Sequence, residues 1–170
     1  GVDAAERMAG LTIGSAFVSV GGAHIQSQNS KGVVAVAEPE GEITNVDIKR
    51  VTDAARAISI PSSREILLVI PRGYIVDGQG IKDPVGMTGV RLEVETQIVT
   101  GATTTIRNLA KCISEIGVDI DGLVYSGLAS SYATLSETEK ELGVILVDIG
   151  AGTSDVAIYV DGALSYSSVI

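Results

Sequence analysis

The chain has 170 residues, 45% of them hydrophobic, enough to build a real core in one ordinary domain or two small ones. Twenty-one acidic residues against 12 basic ones give a net charge of −9, spread without a block of one sign, which excludes recognition of nucleic-acid backbones or anionic lipid through bulk charge. The single cysteine, Cys112, rules out a disulfide within the chain and a cysteine metal cluster, and its apolar helical surroundings read as a buried small hydrophobe in a reducing cytoplasm. The apolar runs at 66–70 and 144–147 fall far short of the roughly 20 residues that cross a bilayer. Gly1-Val2-Asp3 has neither an initiator Met nor a signal pattern, and Tyr166-Ser167-Ser168-Val169-Ile170 stops in a strand-like run, so a piece of a longer protein is expected.

In chain order, a short helix is predicted at 2–9, broken by Gly10 and Gly14, and then a strand at 16–20 closed by Gly21-Gly22. Residues 24–30 and 33–37 read as two strands of a hairpin turning at Lys31-Gly32. Thr44 with Asp47 forms a capping-box start, and Ile48, Val51, Ala55 and Ile58 follow at helical spacing up to Pro61. Strand signals run over 65–70, continue at 74–77, and return at 91–100, where strict alternation predicts one buried and one wet face. Between them, 78–89 is a glycine-rich loop, long for a hairpin and so a candidate for function.

The clearest helix has apolar positions at Ile106, Leu109, Ala110, Ile113 and Ile116 and stops at Gly117. A strand at 122–126, a helix at 128–135 and a short capped turn of helix from Ser136 come next. The apolar strand 144–147 then enters Asp148-Ile149-Gly150-Ala151-Gly152-Thr153-Ser154-Asp155, followed by a strand, a tight turn at Asp161-Gly162 and a last strand.

This glycine-rich turn carries the chemistry. A strand apolar on both faces belongs in a sheet covered on both sides, with the turn emerging at its end. Gly150 and Gly152 let backbone amides approach an anion, and Thr153 and Ser154 add hydroxyl donors. Asp148 would face phosphates only across a cation, so its natural role is to hold a hydrated Mg²⁺, while Asp155 either assists that shell or caps its own turn. A lone G-x-G also makes ordinary hairpins. The full pattern, however, resembles the phosphate-2 hairpin of the actin, Hsp70 and sugar-kinase superfamily.

Further stretches resemble one branch of that superfamily, the bacterial FtsA family: Gly21-Gly22-Ala23-His24-Ile25, Ile70-Pro71 with Tyr74 and Asp77, Gly80-Ile81-Lys82-Asp83-Pro84-Val85-Gly86-Met87, Leu128-Ala129-Ser130-Ser131, and Glu141-Leu142-Gly143 leading into Asp148. The resemblance covers essentially the whole chain, and the loop around Lys82 is its specific part. It implies an α/β fold, an actin-like, ribonuclease H-like lobe with an inserted strand-helix-strand-strand (SHS2) domain. Residues 1–20 would be part of subdomain 1A, 21–100 the inserted 1C domain, 101–142 the return of 1A, and 143–170 the start of subdomain 2A.

By that resemblance the protein is a cell-division scaffold rather than an enzyme. It would bind ATP with Mg²⁺ in its full-length form, assemble with itself into actin-like filaments, recruit FtsZ through parts absent here, and meet other divisome proteins through 1C. It would work in the cytoplasm, at the inner face of the membrane at the division site. This chain alone should not bind ATP tightly. Ala151 departs from the usual middle glycine, harmless at negative φ but costing about 1–2 kcal/mol in a left-handed turn. Tyr125-Ser126-Gly127-Leu128 offers no Glu or Gln to orient water, so hydrolysis is expected to be slow or absent. The alternatives are a PilM-like pilus assembly protein, which shares the inserted domain, and a true ATPase or sugar kinase.

Ile81, Lys82, Asp83, Val85 and Met87 are the candidate protein-interaction residues, apolar side chains mixed with charge on a loop held by Pro84. The competing reading is that the apolar ones fold back on the helix near 45–58 and close its core. The inserted domain is expected to leave and re-enter the lobe through neighbouring strands and to protrude. His24, the only histidine, lacks partners at metal-ligand spacing and is read as structural. Ser130-Ser131 lacks a nucleophile elbow, and the five tyrosines are too scattered for a base-stacking platform.

Overall fold

The structure, a computed structural model, describes residues 1–36 and 41–170. Helix α1 (Val2–Ala9) ends on Gly10 in the left-handed conformation, and strand β1 (Ser15–Val20) follows. Strand β2 (Gln26–Ala35) then runs unbroken where a hairpin is predicted at Lys31-Gly32; the predicted end of that hairpin, Ala37, lies outside the described residues. Lys31 and Gly32 pair in register with Glu95 and Val94. Gly32 serves close packing instead of a turn: a Cβ there would sit 2.1 Å from the Val51 carbonyl oxygen and 2.6 Å from the Ala55 nitrogen of the helix above.

That helix, α2 (Asn45–Arg56), starts at Thr44, whose N–H and hydroxyl both donate to Asp47 Oδ2 at 3.0 and 2.8 Å. Strand β3 (Arg64–Val76) joins the two predicted pieces across Pro71, with register shifts between Ile66 and Leu68 and between Pro71 and Gly73. Asp77 and Gly78, at φ 47° and 87°, make a tight hairpin turn into β4 (Gln79–Ile81), a strand inside the predicted loop. Strand β5 (Arg91–Ala102) is central, giving the antiparallel order β2-β5-β3-β4. Val51 and Ala55 of α2 form a buried core with Val36, Ile43, Val76, Leu92 and Val94 on one face of this sheet.

The chain returns not through a strand beside β1 but through α3 (Thr103–Glu115) to β6 (Asp119–Tyr125), which lies parallel to β1. Cys112 is exposed on α3, off the face that buries Ile106, and so is not the core hydrophobe expected. Helices α4 (Ser126–Thr134) and α5 (Glu137–Leu142) lead into an antiparallel sheet of β7 (Val144–Ile149), β8 (Ser154–Val160) and β9 (Ala163–Val169).

The four-stranded sheet does not simply protrude. From Thr96 to Gly101, β5 is buried on both faces, so its predicted wet face is confined to the other end. Val99 packs with Val20, Ile25 and Tyr125, and Ile70 reaches the core of Ala157, Tyr159 and Leu164. Buried Gln97, with its amide nitrogen on the Leu164 carbonyl at 3.1 Å, accepts the Ser167 N–H at 3.1 Å, while Ser27 Oγ donates to the Ser167 carbonyl at 2.7 Å. These bonds pin β2 and β5 to β9. Within this chain β7 is covered on one side only, and Ile145, Val147 and Ile149 are exposed.

Candidate functional site

The turn between β7 and β8 brings Asp148 and Asp155 directly opposite each other as cross-strand partners. Side chains of such partners leave the sheet on the same face, so two carboxylates stand together at the base of the glycine-rich turn. Helix α4 lies over that face. Ser126 and Ser130, four residues apart and therefore on one side of the helix, each reach one acid. Ser130 Oγ donates to Asp148 Oδ2 at 2.7 Å, and Ser126 Oγ donates to Asp155 Oδ1 at 3.1 Å. Asp155 is buried and Asp148 half-buried. Each keeps its second oxygen outside these bonds.

Gly21, at the end of β1, closes the site from behind. A Cβ on it would lie 2.5 Å from Ser126 Oγ and 3.6 Å from Asp155 Oδ2, so only glycine leaves the serine its place. Tyr125 is fully buried next to Ser126, and its hydroxyl finds no hydrogen-bond partner among the described residues. Burial first, and then the negative charge of Asp155, pushes this phenol far above the ordinary tyrosine range, so it keeps its proton at any physiological pH.

In the turn itself, the Gly150 N–H donates to the Thr153 carbonyl at 2.9 Å and the Ser154 N–H to that of Ile170 at 2.7 Å. The amides of Ala151, Gly152 and Thr153 are taken by no acceptor among the described residues, and Gly150, Ala151 and Gly152 are exposed. Three successive open amides beside two hydroxyl side chains suit an anion. None of residues 150–152 lies in the left-handed region, so the Ala151 Cβ carries no strain there. Among the described residues no group of three or more His, Cys, Asp or Glu could hold a metal ion directly. Two carboxylates side by side could hold a cation through its bound water.

The residues singled out in the 81–87 loop part company. Ile81 and Met87 pack on the core under α2, while Val85 is 44% exposed. Pro84 is buried, the Asp83 carboxylate caps the Val85 N–H at 3.2 Å, and the Ile43 N–H donates to the Met87 carbonyl. Lys82 is exposed and bonds Glu141 of α5 at 2.6 Å, which raises the lysine's pKa and lowers the acid's. Sequence reasoning missed Ser126 and Ser130 as parts of the site. Their i, i+4 spacing ahead of an Asp-rich hairpin was the available signal, but nothing in it pairs helix with turn.

Comparison with known proteins agrees with this architecture. Residues 22–100 match the family described as the SHS2 domain inserted in FTSA. The chain is 45% identical over 170 residues to the cell division protein FtsA of Pseudomonas aeruginosa, 46% over 170 to that of Borreliella burgdorferi and 43% over 169 to that of Bacillus subtilis. Each alignment covers 99% of this chain and 40%, 41% and 38% of the respective relative, so the chain spans about two fifths of their length. With the SHS2 match inside an end-to-end alignment to several FtsA proteins, the chain belongs to the FtsA family.

Proposed function

We propose that the full-length protein carrying this chain is an actin-like scaffold of the division ring, and that the hairpin 148–155 is the phosphate and Mg²⁺ side of its ATP site. A role in cell division follows from the family. The observation that carries the nucleotide reading is the cross-strand pair Asp148 and Asp155 below three open turn amides. Bound there, Mg²⁺ would supply charge neutralisation for the phosphates; Asp148 would hold it through water, Asp155 would flank it, and residues 151–154 would offer amides and hydroxyls to oxygen.

Slow or absent hydrolysis fits the same geometry. Ser126 precedes Gly127 at the start of α4 and its hydroxyl is committed to Asp155, so it presents no base to water. FtsZ recruitment, filament formation and placement at the inner face of the membrane belong to the whole protein in this reading; no helix among the described residues is long and apolar enough to cross a membrane. Of the 81–87 loop, the exposed Val85 and Asp83 remain for contacts with other divisome proteins. The test is Asp148→Ala in the full-length protein: Mg-ATP affinity should fall at least tenfold by calorimetry, with filament formation impaired. Equal affinity in wild type and variant would reduce the turn to a hairpin.

A further inference from the structure

We propose that Ser126 and Ser130 are the positioning residues of this site, each holding one oxygen of a carboxylate and so fixing the orientation of that acid. The proposal rests on reading the hairpin as the phosphate side of a nucleotide site. Two carboxylates placed opposite each other on adjacent strands repel, and free to rotate they would turn apart into water. The serine bonds at 2.7 and 3.1 Å remove that freedom. Because both donors sit on one face of α4, a single rigid element sets both acids at once. Gly21 fixes the nearer donor, since any Cβ at 2.5 Å would displace the Ser126 hydroxyl. A hydrated cation needs acceptors already facing its water shell, and such outer partners commonly govern metal affinity by tenfold or more.

The experiment uses the full-length protein and compares wild type, Ser130→Ala, Ser130→Thr and Asp148→Ala, titrating ATP with and without Mg²⁺ by calorimetry. Ser130→Ala should weaken Mg-ATP binding about tenfold and leave metal-free ATP binding unchanged. Ser130→Thr, which keeps the hydroxyl, should restore most of the loss. The melting temperature of unliganded Ser130→Ala should stay within about 2 °C of wild type. Should Ser130→Ala fail to fold, Ser130→Cys keeps the volume with a weaker donor and should show the same Mg²⁺-specific loss. Wild-type Mg-ATP affinity in a folded Ser130→Ala or Ser130→Cys, with Asp148→Ala defective, would overturn the positioning role and leave the site standing. Equal weakening with and without Mg²⁺ would overturn it as well, and wild-type affinity in Asp148→Ala would remove the site itself.

Discussion

Asp47 shows how much one side chain can hold in this fold. It is buried at the start of α2, where the Thr44 backbone N–H, then the Thr44 hydroxyl, and then Arg50 hold its carboxyl below the usual carboxylate range. A lowered folded value means a contribution that is complete above the unfolded carboxylate range and fades as pH falls through the folded one. Asp47→Ala should cost about 1 kcal/mol at neutral pH. In pH-dependent thermal melts the gap between variant and wild type should narrow below about pH 4. Gly32 is the opposite case, a residue that matters for what it lacks. Gly32→Ala should destabilise by about 3 kcal/mol, read from denaturant midpoints, because backbone atoms of α2 cannot give way to a Cβ. From sequence, Thr44 and Asp47 were legible because capping is local chemistry. Gly32 was not, because the helix that approaches it lies some twenty residues away and a glycine after a lysine looks like a turn.

At the level of elements, local signals served best where an element's limits are set by its own residues: Gly10 and Gly117 end their helices at φ 68° and 80°. They served worst where a sheet overrides them. Pro71 divided β3 in the sequence reading, yet the strand carries it with a shift of register and continues. Asp77-Gly78 was a hairpin signal passed over inside a loop assigned to function, and the strand it starts draws Ile81 into the core. The loop can now be divided by experiment. Met87→Ser should lower stability by about 1–2 kcal/mol, whereas Val85→Ser should stay within about 0.5 kcal/mol of wild type. If Val85 meets a partner, Val85→Ser should lose self-association or divisome binding with its melting temperature unchanged. Equal thermal losses in the two variants would place both side chains in the core.

Across the whole molecule, the sheet of β7, β8 and β9 is the meeting point. It touches α4 through two serine–aspartate bonds, the SHS2 sheet through Gln97 and Ser27, and leaves Ile145, Val147 and Ile149 exposed. The strand, glycine-rich turn and strand over 144–160 were readable in the sequence; their pairing with α4 was not, since that contact joins residues 18 and 29 positions apart through tertiary packing alone. In the proposed reading this chain carries only one side of the phosphate site, so by itself it should give no binding heat with Mg-ATP; a micromolar or tighter dissociation constant would overturn that division of the site. The most direct test of the central claim is a structure of the full-length protein with Mg²⁺ and a non-hydrolysable ATP analogue. Phosphate oxygens should lie within hydrogen-bond distance of amides or hydroxyls in residues 151–154, with a cation-bound water on Asp148. Phosphates bound elsewhere, with this turn facing solvent, would contradict it.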